Sequence, residues 1–357
     1  SETATWLREH FTTALSDIKP EIDQLFTCGI NHIFFHGTCY SPKEADWPGW
    51  YFYASIQYNP RNSIWRDASA LNAYIARCQS ILQSGQPAND ILLYWPLQDL
   101  WHDPHYNDAM TIGLVVHRKG WATEPNCGRT GAWLLDQGYS FDYVSDRQLG
   151  KTTSAAGGIS TEGDAKYQVV LVPVITHMPL ETLEQLIRLA SGGATILMEN
   201  LPSDVPGYAE LESRRETLRQ KLSNLKFNKI EGQNLREAKV GKGRIVVGAD
   251  RALLLQRAGV KREPLADHGI ELIRRQHDDG LHYFLANLDG ETLDGWYPLA
   301  TDVESAVLLN PVSGKTGVAR TRTREGRSEI YLQLLPGESL FVRTFSDHDL
   351  EGRPWKY

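Results

Sequence analysis

The sequence predicts a mixed α/β protein in three successive parts, and three features carry that expectation. Residues 1–85 run helix, strand, loop, helix. Residues 86–258 alternate continuous apolar strands with helices. Residues 259–346 change to short alternating strands between turn residues. At 357 residues the chain exceeds one ordinary core. Its 41% hydrophobic and 23% charged residues are those of a folded protein.

In the first part, Trp6, Leu7, Phe11, Leu15, Ile18, Ile22, Leu25 and Phe26 recur at helical spacing across 3–27, with Pro20 dividing two pieces and Asp17 placed to cap. Ile30 to Phe35 reads as a buried strand, and 66–84 as a helix capped by Asp67. This rhythm belongs either to an α/β barrel or to an open parallel sheet, and about one and a half units are present. Between strand and helix lies a loop with Tyr40, Trp47, Trp50, Tyr51, Phe52, Tyr53, Tyr58 and Trp65. Loops are normally polar, so one this aromatic either lies beneath other structure or offers flat apolar faces to a ligand such as a sugar.

Residues 86–90 read as a linker. Strands are expected at 91–95, 141–144, 168–173, 194–198 and 243–248, with helices at 129–138, 180–190 and 208–226. Strands apolar throughout indicate a parallel sheet covered on both faces, here a flavodoxin-like domain over 86–258 that closes with 243–248. The turn after Val172 carries Pro173, Thr176 and His177 but no nucleophilic Ser or Cys, so this part reads as a scaffold. The diglycines 157–158 and 192–193 lack phosphate-loop spacing. A small antiparallel β domain follows over 259–346, punctuated at Asp279-Gly280, Asp289-Gly290, Ser313-Gly314 and Pro336-Gly337. Residues 347–357 read as a linker to something further along.

The net charge of −7 argues against a nucleic-acid partner. Arg320, Arg322, Arg324 and Arg327, bracketed by Glu325 and Glu329, read as the solvent face of a hairpin rather than as a binding patch. No apolar run approaches the ~18 residues of a membrane-spanning helix. Cys28, Cys39, Cys78 and Cys127 lack metal or disulfide spacing and read as buried thiols.

Glu2 precedes a helix and could simply complement its dipole, or it could be a carboxylate at the end of a barrel strand. His36, at the strand-to-loop junction, is either a satisfied structural residue or a hydrogen-bonding contact to a sugar. Glu44, Asp46, Asn59 and Asn62 could be sugar or cation ligands, or turn chemistry around Pro48, Gly49 and Pro60.

The runs Ser1 to Phe11, Glu21 to Phe26, and Gly29 to Pro42 closely resemble the α-L-rhamnosidases of glycoside hydrolase family 106. The resemblance continues through Trp47-Pro-Gly-Trp50, Asn59-Pro60, the helix at 66–84 and Asp90 to Pro96, and more loosely to Gly352-Arg-Pro-Trp355. It implies a large enzyme built on a (β/α)8 barrel, calcium-dependent and inverting at the anomeric carbon with two carboxylates. Residues 1–85 would then be the barrel's C-terminal edge, a fragment with one carboxylate and without its partner. The resemblance lifts Glu2 to a catalytic residue, assigned as the base, with His36, Tyr40, Trp47 and Trp50 lining the pocket. A rhamnose-containing glycoside is the implied substrate, and a bacterial periplasmic or secreted setting is expected for the parent. Two other readings are a non-catalytic assembly module of a carbohydrate-active enzyme and an independent hydrolase within 86–258. Self-association through residues 1–85 or through the flavodoxin-like domain is also expected, because the former leaves apolar surface uncovered.

Overall fold

A computed structural model describes residues 1–357 except Thr38, 103–124, Ala156 and Asp289; the turn position assigned to Asp289 lies outside the described residues. The chain forms two compact units, residues 1–87 with 263–357, and residues 88–262.

The first unit is layered. Strand β1 (Glu2–Thr3) pairs in parallel with strand β2 (Phe34–Phe35), Glu2 beside Phe34 and Thr3 beside Phe35. Helix α1 (Leu15–Thr27) connects them and helix α2 (Ala68–Leu82) follows the aromatic loop. Ile18, Ile22 and Phe26 of α1 and Leu71, Tyr74 and Ile75 of α2 share a core with Phe284, Ala286 and Phe341 from a six-stranded sheet. Residues 1–85 therefore share their core with the β domain that the sequence placed separately. Side chains of opposite parity on the same strands, Tyr283, Leu285, Leu340 and Val342, face a second core against a three-stranded sheet carrying Leu293, Ile330 and Leu332. Period-two alternation lets one sheet serve both cores.

A buried polar contact ties these layers. Asp23 is fully buried, accepts from Tyr74 Oη, and pairs with Lys19 at 2.6 Å. Lys19 also donates to Gly337 O at 3.0 Å and Ser339 Oγ at 3.1 Å. Burial raises the Asp23 carboxyl above its ordinary value despite the neighbouring ammonium.

Several local expectations are corrected. Residues 4–14 are not helical; Ala4 and Phe11 take positive φ, which a right-handed helix does not admit. The helix starts at Leu15, runs through Pro20, and uses Asp17 from its first turn, whose Oδ2 accepts from Ala14 N at 2.9 Å. Asp67 stands at the cap position of α2 without a side-chain cap bond. The strand expected over 30–35 is Phe34–Phe35 alone, and Phe34 is 60% exposed because no layer covers that face of the pair. Gln86–Pro87, expected in a linker, instead pairs with Arg275 and Gln276 at the sheet edge. Residues 353–357 return to the β domain: Trp355 N donates to Val318 O at 2.8 Å, and Trp355 and Tyr357 pack on its core. Cys78 and Cys127 are buried, whereas Cys28 is exposed.

In the second unit the parallel strands are Ile91–Tyr94, Phe141–Val144, Val169–Val172, Thr195–Met198 and Gly243–Val247. Their spatial order is 2-1-3-4-5 in chain order, a doubly wound arrangement. The sheet does not close at Gly243–Val247; Arg236–Val240 and Asn228–Lys229 extend it antiparallel. Alternate residues feed two cores, Leu92, Val170 and Ile196 against the helix Leu180–Gly192, and Ile91, Leu171 and Val246 against Leu134, Leu254 and Leu255. Among the described residues no helix is long and apolar enough to cross a membrane.

In the β domain, His282 is buried with its ring 4.3 Å from that of His277. Burial, reinforced by His277 and Arg343 and opposed by Asp279, lowers its pKa to about 4 from an ordinary 6.5. Between those values the unfolded chain binds a proton that the folded chain refuses, so stability is full above about pH 6.5 and declines towards about pH 4. The melting temperature should fall across that window, and His282→Leu should flatten the fall. An equally steep acid limb in the variant would show that the acid sensitivity arises elsewhere.

Candidate active site

Strand parity places Glu2. The Thr3 and Phe35 positions point towards the helices, where Thr3 is buried and Phe35 stacks on Tyr58 at 4.2 Å. Glu2 and its register partner Phe34 take the opposite, uncovered face. His36 continues the parity of His32 and Phe34 beyond the strand end, and its backbone N–H donates to Thr3 O at 3.3 Å. Glu2 accepts from Thr5 Oγ1 at 2.8 Å. The carboxylate therefore leaves the first residue of the two-residue parallel strand, on the side away from the helices.

The loops leaving the two strands interlock. His10 packs against Tyr51 at 4.7 Å and Phe11 against Trp47 at 5.3 Å. Gln57, fully buried, donates to Phe52 O at 2.7 Å and contacts His10 Nδ1 at 3.3 Å. Ser55 Oγ donates to Gly37 O at 2.6 Å and accepts from Gly37 N and Gln57 N, fastening the turn beyond His36 to the returning chain. The His36 ring lies edge-on to Phe52 at 5.0 Å.

The Trp-Pro-Gly-Trp corner is fixed from two sides. Gly49 N donates to Asp46 O at 2.7 Å, and Trp50 N donates to Ser41 Oγ at 2.8 Å. Gly49 has φ +79°, and a Cβ there would stand 2.5 Å from Ser41 Oγ, so the corner excludes any larger residue. Arg61 braces the far side, donating to Ala45 O at 2.7 Å and Pro42 O at 2.9 Å, while its own carbonyl accepts from Trp47 Nε1 at 3.2 Å.

Trp47 is 68% exposed and Trp50 62% exposed, so neither ring is a core residue. A cleft of about 560 Å³ is lined by Trp47, Phe11, Arg61, Trp65 and Arg66, with Pro60, Asn62 and Ser63. Of the residues expected to line a pocket, Trp47 alone borders this cleft. Glu2, His36 and Trp50 do not, and Tyr40 stands 94% exposed. The sequence reading missed His10, Phe11 and Arg61. Phe11 had been placed in a helical stripe, and nothing local marks Arg61 as the brace of a loop fifteen residues earlier.

Asn59 and Asn62 resolve as turn chemistry. Asn59 Oδ1 accepts from Arg61 N, and Asn62 caps the short 3-10 turn at 63–66 while donating to Ile56 O at 2.9 Å. Among the described residues no three His, Cys, Asp or Glu side chains converge to hold a metal ion.

In the 88–262 unit, the crevice between Ile91–Tyr94 and Val169–Val172 lies at the topological switch point, where doubly wound sheets bind ligands. Asp99 Oδ1 there accepts from Thr176 N and His177 N and pairs with His177 Nδ1 at 2.9 Å. The pair clamps a loop, and the turn after Val172 carries no Ser or Cys.

The sequence matches the alpha-L-rhamnosidase family, glycoside hydrolase family 106, over residues 1–109 and 126–319. The chain belongs to this family. Among similar structures is a rhamnosidase from Novosphingobium sp. PP1Y, with a TM-score of 0.69 at 21% identity, covering 97% of this chain and 31% of that one. A catalytic mutant of Gan42B, a GH42 beta-galactosidase from G. stearothermophilus, follows with TM-score 0.56 and 10% identity over 93% of this chain and 51% of its own. A putative beta-glucuronidase of Formosa agariphila is 22% identical over 336 residues, 92% of this chain and 25% of that protein. The chain thus spans about a quarter of the length of the beta-glucuronidase and about a third of that of the rhamnosidase.

Exposure separates platform from core experimentally. Trp47→Ala should change stability by less than about 1 kcal/mol, as surface substitutions do. Phe26→Ala, at a fully buried position, should cost about 3–5 kcal/mol. Denaturant titration of both checks this, and comparable losses would return Trp47 to the core.

Proposed function

We propose that this chain supplies one side of the active site of a glycoside hydrolase that cleaves terminal α-L-rhamnosides, with Glu2 as one of two catalytic carboxylates. One observation carries the reading: Glu2 is the first residue of the short parallel strand Glu2–Thr3, one position before its carboxyl end, and lies on the face opposite the helices; active sites of α/β barrels lie at the carboxyl ends of their strands. Family membership supports the substrate class.

In the inverting scheme Glu2 acts as general base. It accepts a proton from a water attacking the anomeric carbon, while a second carboxyl group, outside this chain, protonates the leaving oxygen. The two carboxyl groups must stand ~6.5–9.5 Å apart to admit that water. The hydroxyl of Thr5, bonded to Glu2 Oε1, orients the carboxylate. Trp47, held on its corner beside Phe11, offers an apolar face to the C–H groups of a sugar, and His36 presents an imidazole at the same strand end. Tyr40 and Trp50, exposed in the same loop but outside the cleft that Trp47 borders, are further aromatic candidates for sugar contact. The uncovered Phe34 supports the view that residues 1–85 associate with further protein.

For the 88–262 unit we propose a scaffolding role on a flavodoxin-like framework. The turn without a nucleophile and the fully engaged Asp99 oxygen favour this over an independent hydrolase.

The test is made in a protein of the relatives' length that includes this chain. Glu2→Gln preserves shape and removes basicity, so kcat on an aryl α-L-rhamnoside should fall ~10²–10⁴-fold with KM little changed. A rate near that of the unmodified enzyme would remove Glu2 from the mechanism.

A further inference from the structure

We propose that the outer face of the three-stranded sheet in the β domain binds an anionic polysaccharide, a carbohydrate chain bearing carboxylate or sulfate groups. This surface is independent of the Glu2 site, from which the helical layer and the six-stranded sheet separate it.

The sheet comprises Leu293–Pro298, Thr321–Arg324 and Arg327–Leu334. Its inner residues fill the core, and its outer face carries the register pairs Trp296 with Tyr331 and Asp294 with Gln333. The returning chain end adds Tyr357, whose hydroxyl accepts from Arg320 N at 2.9 Å and donates to Tyr331 O at 3.1 Å. Three rings therefore stand in a row, Trp296 to Tyr331 at 5.4 Å and Tyr331 to Tyr357 at 4.9 Å between centroids. Aromatic side chains fixed on an exposed sheet can contact the C–H faces of sugars, and Asp294, Gln333 and Glu329 supply hydrogen-bonding groups at their edges.

Charge narrows the ligand. The segment 320–329 holds four arginines against two glutamates; with Asp294 on the same face and Lys356 at its border, five positive charges stand against three negative ones, on a chain of net charge −7. Arg322 lies over Trp296 at 4.3 Å and is neutralised by Glu329 at 2.6 Å. Arg320 lies over Tyr357 at 5.1 Å and Tyr331 at 5.9 Å, and among the described residues it makes no ion pair. A guanidinium steadied by aromatic rings keeps its planar fork of N–H donors for an oxyanion, which it meets bidentately. A cleft of about 360 Å³ adjoins this face, sharing Asp294 and Gln333 and bordered by Lys356. The charge excess is too small and too local for the basic stripe of a nucleic-acid surface.

Affinity electrophoresis of the whole chain in gels containing polygalacturonate, dextran sulfate or neutral dextran tests the proposal. Retardation is expected with at least one anionic polymer and not with dextran, and the polymer that retards distinguishes carboxylate from sulfate. Arg320→Ala should weaken that binding by roughly tenfold or more, the loss of a charged hydrogen-bonding pair. Tyr357→Phe, which keeps the packed ring, should leave the binding intact, whereas Tyr357→Ala should weaken it. Arg219→Ala, which removes the same charge from the exposed helix Leu211–Asn224, should leave binding unchanged. If Arg320→Ala proves unstable, Arg320→Lys keeps the charge, loses the stacked fork, and should also bind less tightly. The proposal falls if neither anionic polymer retards the protein or if Arg219→Ala weakens binding as much as Arg320→Ala. It falls equally if a single-stranded RNA homopolymer binds as tightly as the polysaccharides.

Discussion

The parallel pairing of Glu2–Thr3 with Phe34–Phe35 is the constraint on which the candidate site depends. Successive strand side chains point to opposite faces, so one register decision assigns every residue of the pair. Packing Phe35 on Tyr58 and burying Thr3 commits that face to the helices. Glu2, Phe34 and His36 are then necessarily on the other. A slip of one residue would bury the Glu2 carboxylate against an apolar core, which is strongly unfavourable without a partner. The catalytic assignment thus rests on the same hydrophobic burial that folds the unit.

That burial extends further than the order of the chain implies. Helices α1 and α2 fill one face of a sheet through Phe284, Ala286 and Phe341, about two hundred positions or more later in the chain. The Lys19–Asp23–Tyr74 group, reaching Gly337 and Ser339, fixes their orientation with charged and hydrogen-bonded contacts of low exposure. Such a network is directional where apolar packing is not, and removing one member would leave a buried group unsatisfied. The β domain is therefore part of the support that holds the strand ends and their loops in place.

Much of this was legible from local pattern. The α2 stripe and the apolar strands at 91–94, 169–172 and 195–198 show the periodicities their burial requires. The errors share a cause, since spacing reports that a residue is apolar but not what it touches. Phe11 has helical spacing yet serves Trp47, and Trp6 lies under Arg8 in a loop. Gln86–Pro87 looks like a linker because a sheet edge borrowed across the sequence leaves no local trace. Residues 353–357 look like a tail for the same reason. At the candidate site, His36 and Trp47 could be singled out because a strand end and an aromatic loop are recognisable in sequence, whereas Glu2 stood above a helix-dipole role only through the family resemblance. Arg61, His10 and Gln57 could not, because their roles are long-range bonds. The arginine cluster lies on a hairpin as its spacing implies, but its aromatic neighbours come partly from other segments, which local pattern does not show.

The most direct test of the site is a structure of a protein of the relatives' length that includes this chain, with a non-hydrolysable rhamnoside bound. The separation of the Glu2 carboxylate from the nearest carboxyl group across the sugar should fall within ~6.5–9.5 Å, with a water held between Glu2 and the anomeric carbon. A Glu2 side chain turned towards the helices, or a sugar flanked by two other carboxylates at that spacing, would contradict the assignment.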